Sequence, residues 1–234
     1  MEYLETNRTI NQIPNLVEYE LKEILPGIFS AIIKDDYQRA MLFLRCQEYY
    51  ESAFSEIKGK NFEIFEFMEI YRKPKGNDIF MYPLDWGGFN VPGHIIETCI
   101  NSVFRHSSGV YVTPYDYIMD SIINRIKEGI KKNKRWYLIG VDKEDSKTME
   151  HEICHGLYYT NRAYKKKTLE MVRAIPDKIS KRMRDILSGM GYCKEVLDDE
   201  IQAYLSVEPT KEMSKIRGIK KLQKSFRNHL SEYI

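Results

Sequence analysis

The sequence predicts an α+β protein, mostly helical, with a small mixed β-sheet. Three observations predict it. From Pro114 onward, apolar residues recur at helical spacing over most of the chain. Two short apolar runs, Phe62 to Tyr71 and Trp136 to Val141, are bounded by charged or turn-forming residues and read as strands. With 234 residues, 43% of them hydrophobic, the chain is long enough to bury a sizeable core around such elements.

Taken in order, Leu16 to Phe54 reads as helical, broken at Leu25-Pro26-Gly27 and resumed through Met41, Leu44, Tyr49 and Phe54. Phe62 to Tyr71 alternates apolar residues with glutamates, as a half-buried strand does. Pro74 to Asp78 then forms a turn and Ile79 to Tyr82 a second strand, making a hairpin. Asp85 to Gly93 is a loop dense in aromatics and glycine; it serves either substrate binding or plugging of a sheet end. His94 to Phe104 is helical, and Gly109 to Thr113 a short strand. Pro114 opens an amphipathic helix through Ile118, Ile122, Ile126 and Ile130. Trp136 to Val141 is the clearest strand. Residues 1–110 form an N-terminal helical and β region packed on a core of residues 111–234, or the two are one continuous domain.

Composition narrows the function. The net charge of +2 favours no polyanionic partner, so no nucleic acid is expected. Met1 to Arg8 carries no basic-then-apolar leader, and no apolar run is long enough to span a membrane. Cys46, Cys99, Cys154 and Cys193 are scattered and read as free thiols, mostly buried, in a reducing cytoplasm. From Lys211 a last helix is expected, with Ile216, Ile219, Leu222, Phe226 and Leu230 inward. Its outer face carries Arg217, Lys220, Lys221, Lys224 and Arg227, which could touch an acidic surface but reads better as a solvated exterior.

The chemistry concentrates at His151-Glu152-Ile153-Cys154-His155. On a helix the two histidines lie about 40° apart and one turn removed, so both imidazoles can grip one metal ion. Glu152 is then placed to take a proton from water. Asp145, Ser146 and Thr148 are N-cap candidates, and Glu144, Asp145 and Glu150 suit a helix N-terminus. Ile153 and Leu157 face a core, and the helix is expected to run to about Ala174. Cys154 reads as a small apolar filler. Further helices follow from Pro176 to Leu187 and from Glu195 to Ser206.

Two histidines do not close a catalytic zinc site. His94, His106 and His229 are the only others, so a carboxylate is the better third ligand, and Asp198, Asp199 and Glu200 supply candidates on a later helix. With this constellation the chain resembles the zincin metallopeptidases, and among them the gluzincin type. The resemblance covers roughly residues 114–206: a backing helix, a strand, the H-E-x-x-H helix and a glutamate helix. Glu200-Ile201-Gln202-Ala203-Tyr204 matches the E-x-x-A-aromatic pattern of that last helix. The resemblance implies a zincin-like fold and a zinc ion held by His151, His155 and Glu200. It further implies Glu152 as general base and a peptide or protein substrate laid along the strand Trp136 to Val141. Many gluzincins carry an aspartate where this chain has Tyr204. Either Tyr204 supports a histidine or stabilises an oxyanion, or another carboxylate orients His151 or His155 and Tyr204 simply packs, half-buried. The alternative is a zincin-like scaffold that binds metal without catalysis.

Overall fold

A computed structural model describes residues 17–73, 76, 79–105, 109–131, 134–142 and 145–234. The fold is α+β, with one four-stranded mixed sheet in the order β1-β2-β4-β3. Strands β1 (Glu20–Leu25) and β2 (Ile28–Ile32) form an antiparallel hairpin. Strand β4 (Tyr137–Val141) runs parallel to β2 and antiparallel to β3 (Phe89–Pro92).

The hairpin replaces a helix expected from residue 16, which itself lies outside the described residues. Leu25-Pro26-Gly27 does not interrupt a helix; it turns the chain, with Gly27 at φ 82° and its N–H on Glu23 Oε1 at 2.7 Å. The helix-forming glutamates and lysine of β1 are overruled by pairing with β2, and their charges suit an edge strand. Helix α1 (Asp36–Glu51) follows, N-capped by Asp35.

Phe62 to Tyr71 is not a strand. Helix α2 spans Ile64–Arg72. Ile64, Phe67 and Tyr71 are buried at i, i+3 and i+7, the stripe a helix needs, whereas Phe65 is 79% exposed. That one outward phenylalanine produces the apparent alternation. The predicted partner strand is also missing: Tyr82 opens a single helical turn, α3 (Tyr82–Asp85). Of the turn between them, only Gly76 lies within the described residues, at φ 62°. Strand β3 arises inside the predicted loop, and helix α4 (Gly93–Val103) leaves it directly. Residues 109–113 are not a strand but an irregular entry to helix α5 (Pro114–Gly129). A reciprocal capping box between Thr113 and Asp116 starts α5. Asp116 also accepts from Arg45 Nε at 2.8 Å, each side chain 3% exposed.

Downstream, helix α6 (Ser146–Thr160) stops short of Ala174. Asn161 takes extended backbone and caps a new helix, α7 (Arg162–Arg173), accepting from the N–H groups of Ala163 and Tyr164 at 3.0 Å each. Helix α8 (Asp177–Gly189) and, after a 3₁₀ turn, helix α9 (Leu197–Ser206) match expectation. The single last helix becomes two, α10 (Lys211–Ser214) and α11 (Ile219–Leu230), divided at Gly218 with φ 95°. Ile219, Phe226 and Leu230 are buried while Arg217, Lys220, Lys221 and Lys224 are exposed, as a solvated outer face requires.

The sheet separates two apolar cores by its period-2 alternation. Phe29, Ala31 and Leu138 join the core around α1, α4 and α5, and Ile28, Tyr137, Ile139 and Val141 join the core under α6. Burying an isoleucine such as Ile28 or Ile139, both 0% exposed, contributes about 1.5–3 kcal/mol. Gly156 sets how close α6 comes: a Cβ there would sit 2.9 Å from Ile28 Cδ1. No helix among the described residues is long and apolar enough to cross a membrane.

Candidate metal centre

Helix α6 starts where Asp145 accepts from the Thr148 N–H at 2.9 Å; Glu144 lies outside the described residues. Ile153 and Leu157 pack under the sheet as expected. Cys154 is fully buried, its thiol donating to the Glu150 carbonyl at 3.3 Å, and it faces away from any ligand set. Of the other cysteines, Cys46 and Cys99 are buried and free, and Cys193 is half-buried.

The His151 and His155 rings stand 5.0 Å apart on one face of α6. Helix α9 packs against that face and brings in Glu200. Its Oε2 lies 3.7 Å from His151 Nε2, and its Oε1 lies 3.7 Å from His155 Nε2. One ligand atom from each of the three falls within 4.8 Å of the others, so the group could hold a metal ion. Two tests of fit succeed. Two atoms each about 2.0–2.2 Å from one zinc ion lie at most about 4.4 Å apart, and both Glu200 contacts fall inside that limit. Glu200 Oε2 is also buried with no hydrogen-bond partner, an orphan that a cation would satisfy.

The three consecutive acids on α9 divide by helix rotation, about 100° per residue. Asp198 turns outward to Arg184. Asp199 turns to the back of His155, with Oδ1 3.0 Å from Nδ1. Glu200 faces both imidazoles. Asp199 is thus the orienting carboxylate that Tyr204 does not provide. Burial opposes a charge on His155, but Asp199 and Glu200 overcome it and hold its imidazole well above the ordinary histidine pKa. The Tyr204 ring packs edge-on against His151 at 4.7 Å, and its hydroxyl meets that of Tyr192 at 3.2 Å.

Glu152 meets β3. Its Oε2 accepts from Asn90 Nδ2 at 2.6 Å, and Asn90 Oδ1 accepts in turn from the Tyr137 hydroxyl. Gly88 closes over the same carboxylate: a Cβ there would meet Oε1 at 2.8 Å. Burial raises the Glu152 pKa, and the two histidines only partly offset it. Asn90 and Tyr137 carried no signal as site residues. The predicted loop is in part strand β3, and the rest of it borders a cavity. Phe89 stacks on Phe43 of α1 at 5.6 Å, and Trp86 to Gly88 line a cavity.

That cavity, about 780 Å³, opens onto His151 and Glu152 between α1, α3, α6 and α9. Trp86, Tyr192 and Tyr204 supply aromatic walls and Glu51 an acidic one. Burial, then the charge of Glu200, pushes the Glu51 carboxyl up to about 8.

The expectation of a substrate paired along Trp136 to Val141 is overturned. Strand β4 is interior, with β2 on one side and β3 on the other, so its backbone groups are spent. The edge strand near the site is β3. Its outward Asn90 N–H goes to Gln47 Oε1 at 3.3 Å, and Pro92 has no N–H to offer. His94 is stacked on Tyr159 and His229 on Tyr164, neither at the centre, and His106 lies outside the described residues.

No family model matches this chain, and no curated protein or solved structure matches it either.

Proposed function

We propose that this chain is a zinc-dependent hydrolase of gluzincin-like organisation, acting on peptide bonds. His151, His155 and Glu200 would hold the ion. Zinc in such a site supplies Lewis acidity, bringing the pKa of water toward about 7 and polarising a carbonyl oxygen. The chain's own residues do the rest. Glu152 accepts the proton from water and returns it to the departing amine; its raised pKa suits a group that must both take and give. Asn90 and Gly88 fix where its carboxylate points. Asp199 fixes the His155 ring. Substrate is held by the side chains of the cavity, since β4 is interior and the outer edge of β3 has no free N–H at Asn90 or Pro92.

One observation carries the reading: Glu200, from a separate helix, presents its carboxylate to two imidazoles one turn apart, with the oxygen nearer His151 buried and partnerless. The experiment is metal analysis of the purified protein beside a peptide-cleavage assay on mixed peptides. About one zinc per chain with cleavage supports the proposal. Zinc without cleavage of any peptide would make the chain a metal-binding scaffold. No bound metal under zinc-replete conditions would remove the centre altogether.

A further inference from the structure

The hydrogen bonding at His155 does not end at Asp199. Gln202 Nε2 donates to the same Asp199 Oδ1 at 2.9 Å, and Gln202 Oε1 accepts from the Tyr164 hydroxyl at 2.7 Å. Gln202 is 0% exposed and Tyr164 1%. A buried amide between a phenol donor and a carboxylate acceptor has only one orientation that satisfies both ends. The Tyr164 ring is itself fixed, stacked on His229 at 4.9 Å and 11°. Tyr164 comes from α7, so the chain of contacts ties α7 through α9 to α6.

We infer that Tyr164 and Gln202 are positioning residues for the metal centre, holding Asp199 as an acceptor so that His155 keeps its Nδ1 hydrogen and presents Nε2. This rests on the reading of His155 as a ligand. The physical cause is the pattern of donors. Asp199 Oδ1 accepts the Gln202 N–H and lies 3.0 Å from His155 Nδ1, and the two contacts together pin its rotation. Without Gln202, Asp199 is free to swing toward solvent, where its side chain is already 24% exposed. The His155 ring then loses its rear restraint. The break at Asn161 gains a purpose here, because a continuous helix to Ala174 would carry Tyr164 away from α9.

The test compares wild type with Gln202→Met and Tyr164→Phe by two measurements. Zinc affinity is read by competition with a chromogenic chelator. The His155 Nδ1 hydrogen is read by ¹H–¹⁵N NMR of the imidazoles, in zinc-loaded and metal-free protein. Loss of an outer partner of a ligating histidine costs about 10–100-fold in metal affinity, so about tenfold is expected for Gln202→Met and less for Tyr164→Phe. In both variants the Nδ1 resonance should move upfield and exchange faster with water, a change that general loosening far from His155 would not give. Wild-type zinc affinity and an unchanged Nδ1 resonance in both folded variants would overturn the inference. If Gln202→Met does not fold, Tyr164→Phe decides by the same criteria. If wild type binds no zinc, the metal reading fails on its own, and the Nδ1 resonance of metal-free protein still decides the role of Tyr164 and Gln202.

Discussion

Asn90 Nδ2 donates to Glu152 Oε2 at 2.6 Å, joining an edge strand to the helix that carries both histidines. The bond holds the one carboxylate of the motif in place beside the ligand cluster. Glu152 and His151 nevertheless line the same cavity.

Glu152→Gln should therefore keep zinc and lose hydrolysis, with kcat down about 10²–10⁴-fold, the usual contribution of a general base. Zinc content and peptide cleavage on the same preparation check it. Full activity in this variant would take the base away from Glu152.

Gly88→Ala should behave like a mild form of that change. The added Cβ would meet Glu152 Oε1 at 2.8 Å and Thr148 Cγ2 at 2.7 Å, so the carboxylate must move. A displacement of that size can cost up to about 100-fold in rate while zinc stays bound. Unaltered kcat would show that the loop yields instead of the carboxylate.

His151→Ala, His155→Ala and Glu200→Ala should each abolish stoichiometric zinc at micromolar protein, since each removes one of three donors. Asp198→Ala should leave zinc binding unchanged. It breaks only the half-exposed pair with Arg184, worth about 0–1 kcal/mol. Equal zinc loss in Asp198→Ala and Glu200→Ala would mean that the rotation of α9 has been read wrongly.

Asp116→Ala tests the scaffold apart from the site. Arg45 and Asp116 form a buried pair, and Asp116 also closes the capping box of α5. Removing one partner strands the other charge and should cost about 3–5 kcal/mol of stability, measured by urea unfolding. Zinc stoichiometry of the folded fraction should not change. A loss under 1 kcal/mol would mean that the carbonyls of Phe62 and Tyr111, to which Arg45 already donates, suffice to hold its charge.

The sequence by itself determined whatever depends on neighbours along the chain. His151 and His155 share a face because a helix repeats every 3.6 residues, and Ile153 and Leu157 turn to the core for the same reason. The α5 stripe, the apolar run of β4 and the run of acids at 198–200 were legible on similar grounds. Tertiary structure decided what depends on which segments meet. The Phe62 to Tyr71 run satisfies an alternating pattern and a helical one at once, and only packing of Ile64, Phe67 and Tyr71 chose the helix. The role of each acid on α9 followed from how that helix is rotated against α6, a relation that no local spacing encodes. Asn90 reaches Glu152 across 62 residues, and Gln202 reaches Tyr164 across 38. Such contacts are fixed by the balance of burial among elements that fold together, so they have no signature in either segment alone.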